Sequence, residues 1–276
     1  MDFWLTMLAF ALFGLAVGTY GTLIGAGGGF IIVPVLLLVL GWPHQEAVAT
    51  SLLVVTANAT SGSIAYARQK RIDFRTGIRF ALATLPGAIL GSLVVTALSG
   101  RVFNLIFGVL LVAISIYLMI RPERPGSKEA MLERPAGLRG WGWTVRHIVD
   151  SRGEKFDYGF SLPWGVLLSF GVGFMSSILG IGGGIIHVPA LITLFDFPAH
   201  IATATSHFIL AISAATGSAT QFVLGNIRVA PGLAMAAGAL VGAQIGGALS
   251  HRVKGPWIVR GLAAALTLVG IRLIIG

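Results

Sequence analysis

Gly25-Ala26-Gly27-Gly28-Gly29-Phe30-Ile31-Ile32-Val33-Pro34 returns 155 residues later as Gly180-Ile181-Gly182-Gly183-Gly184-Ile185-Ile186-His187-Val188-Pro189. The match continues without a gap. Pro43 falls on Pro198, Ala49-Thr50-Ser51 on Ala204-Thr205-Ser206, and Gly62-Ser63 on Gly217-Ser218. Gly77, Gly87 and Gly91 fall on Gly232, Gly242 and Gly246. A shared apolar bias aligns Leu with Val by chance, but it does not reproduce a skeleton of Gly, Pro and Thr-Ser. The chain contains an internal duplication.

Around that skeleton the residues are those of a membrane protein. Of 276 residues 55% are apolar and 11% charged, against roughly 25% charged in an average soluble chain. Of the 29 charges, fourteen lie in 121–160 and six between Arg68 and Arg79, which leaves nine for the long apolar remainder. A soluble enzyme is excluded, and the partner over most of the surface is the lipid bilayer. The net charge of +9 would suggest nucleic acid in a soluble chain. Here the basic residues flank apolar spans, where they set orientation, so no nucleic-acid partner is expected. The absence of Cys removes disulfides, Cys-ligated zinc and thiol catalysis. The start, Met1-Asp2-Phe3, lacks a basic n-region, so the first apolar segment is expected to remain in the mature protein.

Each half divides into five apolar segments, at 3–24, 30–41, 46–66, 77–98 and 102–120, then at 161–180, 185–196, 199–223, 231–250 and 257–276. A span needs about 20 residues, so 30–41 and 185–196 are too short to cross alone. Both follow a triple-Gly break, and short Gly-interrupted segments at matching places point to a transporter binding site. The loop 67–79 carries five basic residues against Asp73 alone, and 121–160 carries eight; both are expected on the cytoplasmic side. In the second half the basic residues move to the other loops, Arg252 and Lys254 among them, so the second copy is expected to be inverted. The predicted fold is an all-α polytopic membrane protein: a first transmembrane repeat (1–120), a cytoplasmic linker (121–160) and an inverted second repeat (161–276). Each repeat holds a Gly-broken or re-entrant helix pair. In the linker, Trp143–Val149 and Lys155–Tyr158 flank a Gly-containing turn and read as a β-hairpin.

No Asp or Glu falls at the centre of a predicted span. Cation and proton transporters often use an intramembrane carboxylate, so an anion or a neutral solute is favoured. A broken helix suits an anion, because its unpaired N–H groups and positive dipole end face the ligand without a buried cation. The candidate binding residues begin with Gly27, Gly28, Gly29, Gly182, Gly183 and Gly184. Polar groups follow on the next segment of each half: Thr50, Ser51 and Asn58, then Thr205, Ser206 and Gln221. Ser51, Asn58 and Gly62 share one helical face, and Ser206, Ser213 and Gly217 repeat the pattern. Such hydroxyls can equally bond their own helix carbonyls. His187 and His207 replace Ile32 and Leu52 of the first copy; either can gate a proton or donate to an anion, or serve as a packing residue. Arg228, Arg252 and Arg260 lie at span ends, where they snorkel or orient the protein.

With the doubled Gly-x-Gly-Gly-Gly…Val-Pro motif, each copy followed by Ala-Thr-Ser, the chain resembles the TauE/SafE sulfite exporter family over nearly its whole length. The resemblance implies a multi-pass plasma-membrane (inner-membrane) transporter of sulfite, organosulfonates or related small anions. Coupling to an H+ or Na+ gradient is expected, without a cofactor or metal, and a homodimeric assembly stays open. An anion channel and an intramembrane enzyme are the alternatives.

Overall fold

The computed structural model describes residues 3–120, 142–250 and 256–275. In the first half the helices are α1 (Phe3–Ile24), α2 (Gly29–Leu38), α3 (His44–Arg68), α4 (Phe74–Ala97) and α5 (Gly100–Ile120). In the second they are α6 (Leu162–Leu179), α7 (Gly184–Leu194), α8 (Ala199–Val223), α9 (Val229–Leu249) and α10 (Pro256–Ile275). α1, α3, α4, α6 and α9 are long and apolar enough to cross a membrane. α2 and α7, with 10 and 11 residues, reach only about half of a ~30 Å hydrocarbon layer at 1.5 Å per residue. Large apolar side chains such as Leu8, Leu82, Leu167 and Leu233 are exposed, while Thr50, Ser51, Asn58, Ser206 and His207 are fully buried. That distribution suits lipid outside and polar chemistry within.

Local chemistry sets the helix starts. Pro43 and Pro198 stand before α3 and α8 with extended ψ, where their fixed φ and missing N–H cost nothing. Asp73 caps α4 by accepting the Thr76 N–H. Glycines set how closely the helices pack: a Cβ on Gly238 or Gly242 of α9 would strike the α1 backbone, and one on Gly87 or Gly91 of α4 would strike that of α6.

The most extensive contacts join the two halves. α1 packs on α9, α4 on α6, α5 on α10, α3 on both α8 and α9, and α8 on α4. The Thr50 hydroxyl, near the start of α3, accepts the N–H of Arg228, just past the end of α8. The Thr205 hydroxyl, near the start of α8, accepts the N–H of Asp73, just past the end of α3. α3 and its sequence counterpart α8 therefore run antiparallel.

Between the halves lie β1 (Trp143–Val149) and β2 (Lys155–Ser161), an antiparallel pair with Trp143 opposite Ser161 and Val149 opposite Lys155. The second strand extends three residues beyond its predicted end. Residues 121–141 of the expected linker, and Arg252 and Lys254, lie outside the described residues.

Candidate functional site

Each elbow between a long helix and its short partner places three glycines at positive φ: Gly25, Gly27 and Gly28 at 80°, 75° and 86°, and Gly180, Gly182 and Gly183 at 68°, 75° and 84°. A side chain would cost roughly 1–2 kcal/mol at each such position, which is why glycine fills them. Bonding within α2 begins when Ile31 and Ile32 donate to the Gly28 carbonyl, and within α7 when Ile186 and His187 donate to that of Gly183. The N–H groups of Gly29, Phe30, Gly184 and Ile185 are thus left without an acceptor in their own helix, at its positive end. The two elbows meet. A Cβ on Gly29 would collide with the Gly180 carbonyl and one on Gly184 with that of Gly25, while Gly27 and Gly182 both rest against Val55 and Leu210.

The predicted polar face of α3 does turn toward the elbows, but its groups are engaged there. Ser51 donates to the Gly180 carbonyl at 2.7 Å. Asn58 Nδ2 donates to the Gly27 carbonyl at 3.0 Å and its Oδ1 accepts from Thr22 at 3.0 Å. Tyr66 donates to the Thr22 carbonyl at 2.7 Å. The His207 ring fills the space beside Gly62, its Nε2 3.4 Å from the Thr22 hydroxyl. Thr50 and Thr205 hold the starts of α9 and α4, as described above. Gln221 donates to the Ser92 carbonyl at 3.0 Å and accepts from Asn226 at 2.8 Å, which places it at the far end of α8.

The second elbow is different. Gly182, Gly183, Gly184, His187, Ser206 and Ser213 line a pocket with Thr84, Val172, Ile209 and Leu210, with about 170 Å³ of empty space too finely divided to hold a water molecule. The hydroxyls of Ser206 and Ser213 have no hydrogen-bond partner among the described residues, and nor do those of Ser176 and Ser177 at the end of α6. An unpaired buried hydroxyl costs about 1–3 kcal/mol, a cost that a ligand in this pocket could offset at Ser206 and Ser213. The His187 ring stacks on Phe80, centroids 6.0 Å apart, with Nε2 3.3 Å from the Ser169 hydroxyl. No charged side chain lines the pocket. Neutral hydroxyls and the glycines that start α7 line it, groups of the kind that hold a small oxyanion.

Of the residues expected to bind, the structure brings Gly182, Gly183, Gly184, His187 and Ser206 together at this pocket, with Ser213 of the same expected face; Gly27, Gly28 and Gly29 do not line it. Thr84 also lines the pocket and had no signal in the sequence, since it lies on α4 without a polar counterpart in the second copy. No group of His, Asp or Glu among the described residues could hold a metal ion.

Comparison with known proteins places the chain among membrane transporters. The family model "Sulfite exporter TauE/SafE" matches residues 10–273. The probable membrane transporter YunE of Bacillus subtilis is 33% identical, with 98% of each chain covered. The probable membrane transporter ORF9 of Sinorhizobium is 26% identical over 97% of this chain and 92% of its own. MJ0441 of Methanocaldococcus jannaschii, also a probable membrane transporter, is 27% identical over 78% and 72%. No solved structure matches the chain. With a doubled glycine elbow at its centre and a family match over nearly its whole length, the chain belongs to the TauE/SafE sulfite exporter family of membrane transporters.

Proposed function

We propose that the protein is a secondary transporter that moves a small sulfur-containing anion, sulfite or an organosulfonate, across the plasma membrane by alternating access. The observation that carries this reading is the pair of buried, partnerless hydroxyls of Ser206 and Ser213 beside the N-terminus of α7. The Gly184 and Ile185 N–H groups complete an anion cradle without a buried cation. His187 borders the cradle and selects among bound anions. The antiparallel relation of α3 and α8 supports an inverted repeat, since a two-fold axis that reverses these helices lies in the membrane plane. The basic residues of 68–79 favour the cytoplasmic side for that loop and for the hairpin clamped to it. An H+ or Na+ gradient supplies the driving force.

A carrier is favoured over a channel because the unpartnered hydroxyls of Ser206 and Ser213 gather at one pocket beside the start of α7. An intramembrane hydrolase is disfavoured because the His207 ring reaches Thr22 and leaves Ser206 unpaired. The test is thermal stabilisation of the purified protein by sulfite, sulfate, thiosulfate, sulfoacetate and taurine, followed by counterflow in proteoliposomes. A sulfur anion is expected to stabilise the protein and to exchange across the membrane. Stabilisation by a cation or a sugar alone would overturn the reading.

A further inference from the structure

The β-hairpin is clamped onto the corner that joins α3 to α4. Arg146 Nε lies 3.3 Å from Asp73 Oδ2 and 3.1 Å from the Thr76 hydroxyl, and the Tyr158 hydroxyl donates to Asp73 Oδ2 at 2.8 Å. A second ion pair, Arg71 with Asp150 at 3.4 Å, has side chains only 5% and 0% exposed. The Ser151 N–H adds a bond to the Gln69 carbonyl.

Two routes run from this clamp to the pocket. Along the first, the Asp73 N–H donates to Thr205, the neighbour of the pocket residue Ser206. Along the second, Phe160 of the hairpin meets the Phe80 ring edge-on at 5.9 Å, and Phe80 stacks on the pocket residue His187. The duplication places Arg228 where Asp73 stands, and the corner there is built differently. The Arg228 N–H donates to Thr50, the neighbour of Ser51. Its guanidinium pairs with Glu46 and lies 4.3 Å over the Trp42 ring, with no hairpin in the contact. The 25 residues of α3 separate the two corners by roughly 37 Å at 1.5 Å per residue.

We propose that these two corners are the opposing gates of the carrier, with the hairpin as the latch of one and the Arg228–Glu46 pair as the latch of the other. Both latches are engaged in this structure. The latches are unequal. The hairpin gate is held by buried charge and an aromatic wedge, whereas the Arg228 and Glu46 side chains are 43% and 33% exposed and so contribute less. Opening at the Arg228 end is therefore the easier step, and release of the hairpin is the step that ligand in the pocket must assist through Ser206 and His187. The inference rests on the carrier reading, but access to the pocket from each face can be measured without any substrate.

The chain has no Cys, so Ser213→Cys places a single thiol in the pocket. A membrane-impermeant methanethiosulfonate reagent is applied to each face in turn, and Arg152→Cys in the exposed hairpin turn identifies the hairpin face. In the Ser213→Cys protein, adding Arg146→Ala is expected to raise the modification rate from the hairpin face about tenfold, the scale of one charge-assisted hydrogen bond, with no change from the other face. Glu46→Gln is expected to raise it from the other face only. Tyr158→Phe, which deletes one oxygen, is expected to give a smaller rise on the hairpin side and guards against misfolding of the Arg146 variant. An equal rise from both faces, or no rise in any of the three, overturns the proposal. Sided access without anion stabilisation would overturn the substrate reading and leave the gates standing; stabilisation without sided access would do the reverse.

Discussion

The Ser51 hydroxyl donates across 2.7 Å to the carbonyl oxygen of Gly180, so the first copy's serine closes the second copy's elbow. Ser206, its counterpart, is equally buried and has no partner among the described residues. The duplication kept both serines, and the fold gave them different surroundings. Ser51→Ala is expected to lower stability by about 1 kcal/mol and to leave anion affinity intact. Ser206→Ala is expected to leave the melting temperature unchanged or raise it, and to weaken anion binding about 5–30-fold for a loss of ~1–2 kcal/mol. Melting curves with and without sulfite check both. The opposite assignment of effects would make Ser51 the binding residue.

Gly183 and Gly41 separate backbone strain from crowding. Both have positive φ, 84° and 64°, but a Cβ on Gly183 would lie 2.8 Å from Val172 Cγ1, whereas one on Gly41 meets nothing within 4 Å. Alanine at either position is expected to cost roughly 1–2 kcal/mol of stability. Only Gly183→Ala also pushes against the pocket wall, and it is expected to abolish transport. Flux in proteoliposomes, normalised to folded protein, distinguishes the two.

Much of this was legible in the sequence, because glycine and proline act locally. The triple-Gly breaks permit the positive φ of an elbow, and Pro43 and Pro198 suit a helix start, so segment ends were predicted to within three residues. The partner of each hydroxyl was not legible. Thr50 and Thr205 sit beside the elbows in sequence, but their oxygens serve helix starts in the opposite half. Nor was it legible that Asn58, expected to face the ligand, donates to the Gly27 carbonyl. Those outcomes depend on how α3 and α8 cross, which no single-chain periodicity encodes. The clamp between Asp73 and Arg146 joins residues far apart along the chain and had no signal either.

Thr205→Val is expected to remove the acceptor for the Asp73 N–H and to destabilise the protein by about 1 kcal/mol, with Thr50→Val doing the same at Arg228. Thr→Ser at each site keeps the oxygen and is expected to restore the melting temperature. A loss with Ser as large as with Val would show that the methyl group, not the hydroxyl, matters there.

The hairpin clamp has a defined response to acid. Burial works to raise the Asp150 carboxyl, but the Arg152 and Glu154 N–H groups and the Arg71 guanidinium outweigh it and hold it below its ordinary 3.8. A carboxyl depressed in the folded state contributes stability above its ordinary value and loses it as pH falls through the lower folded one. Resistance of the hairpin to an acid-active protease is thus expected to stay constant from neutrality to about pH 4 and to fall below that. Asp150→Asn is expected to be cleaved faster at neutral pH and to show a flatter acid profile. An unchanged profile in that variant would assign the acid response to other groups.

The contacts of α1 with α9 and of α4 with α6 also govern how the protein is made. As the ribosome delivers the chain, α1 and α4 enter the bilayer long before their main partners are synthesised, and they must wait there with glycine-lined faces open to lipid. Each half thus makes its largest helix contacts with the other half. Two fragments produced by a cut between the halves would each be incomplete and would complement only one another, and any factor that shelters membrane helices during biogenesis would have to hold the first half until α9 is made.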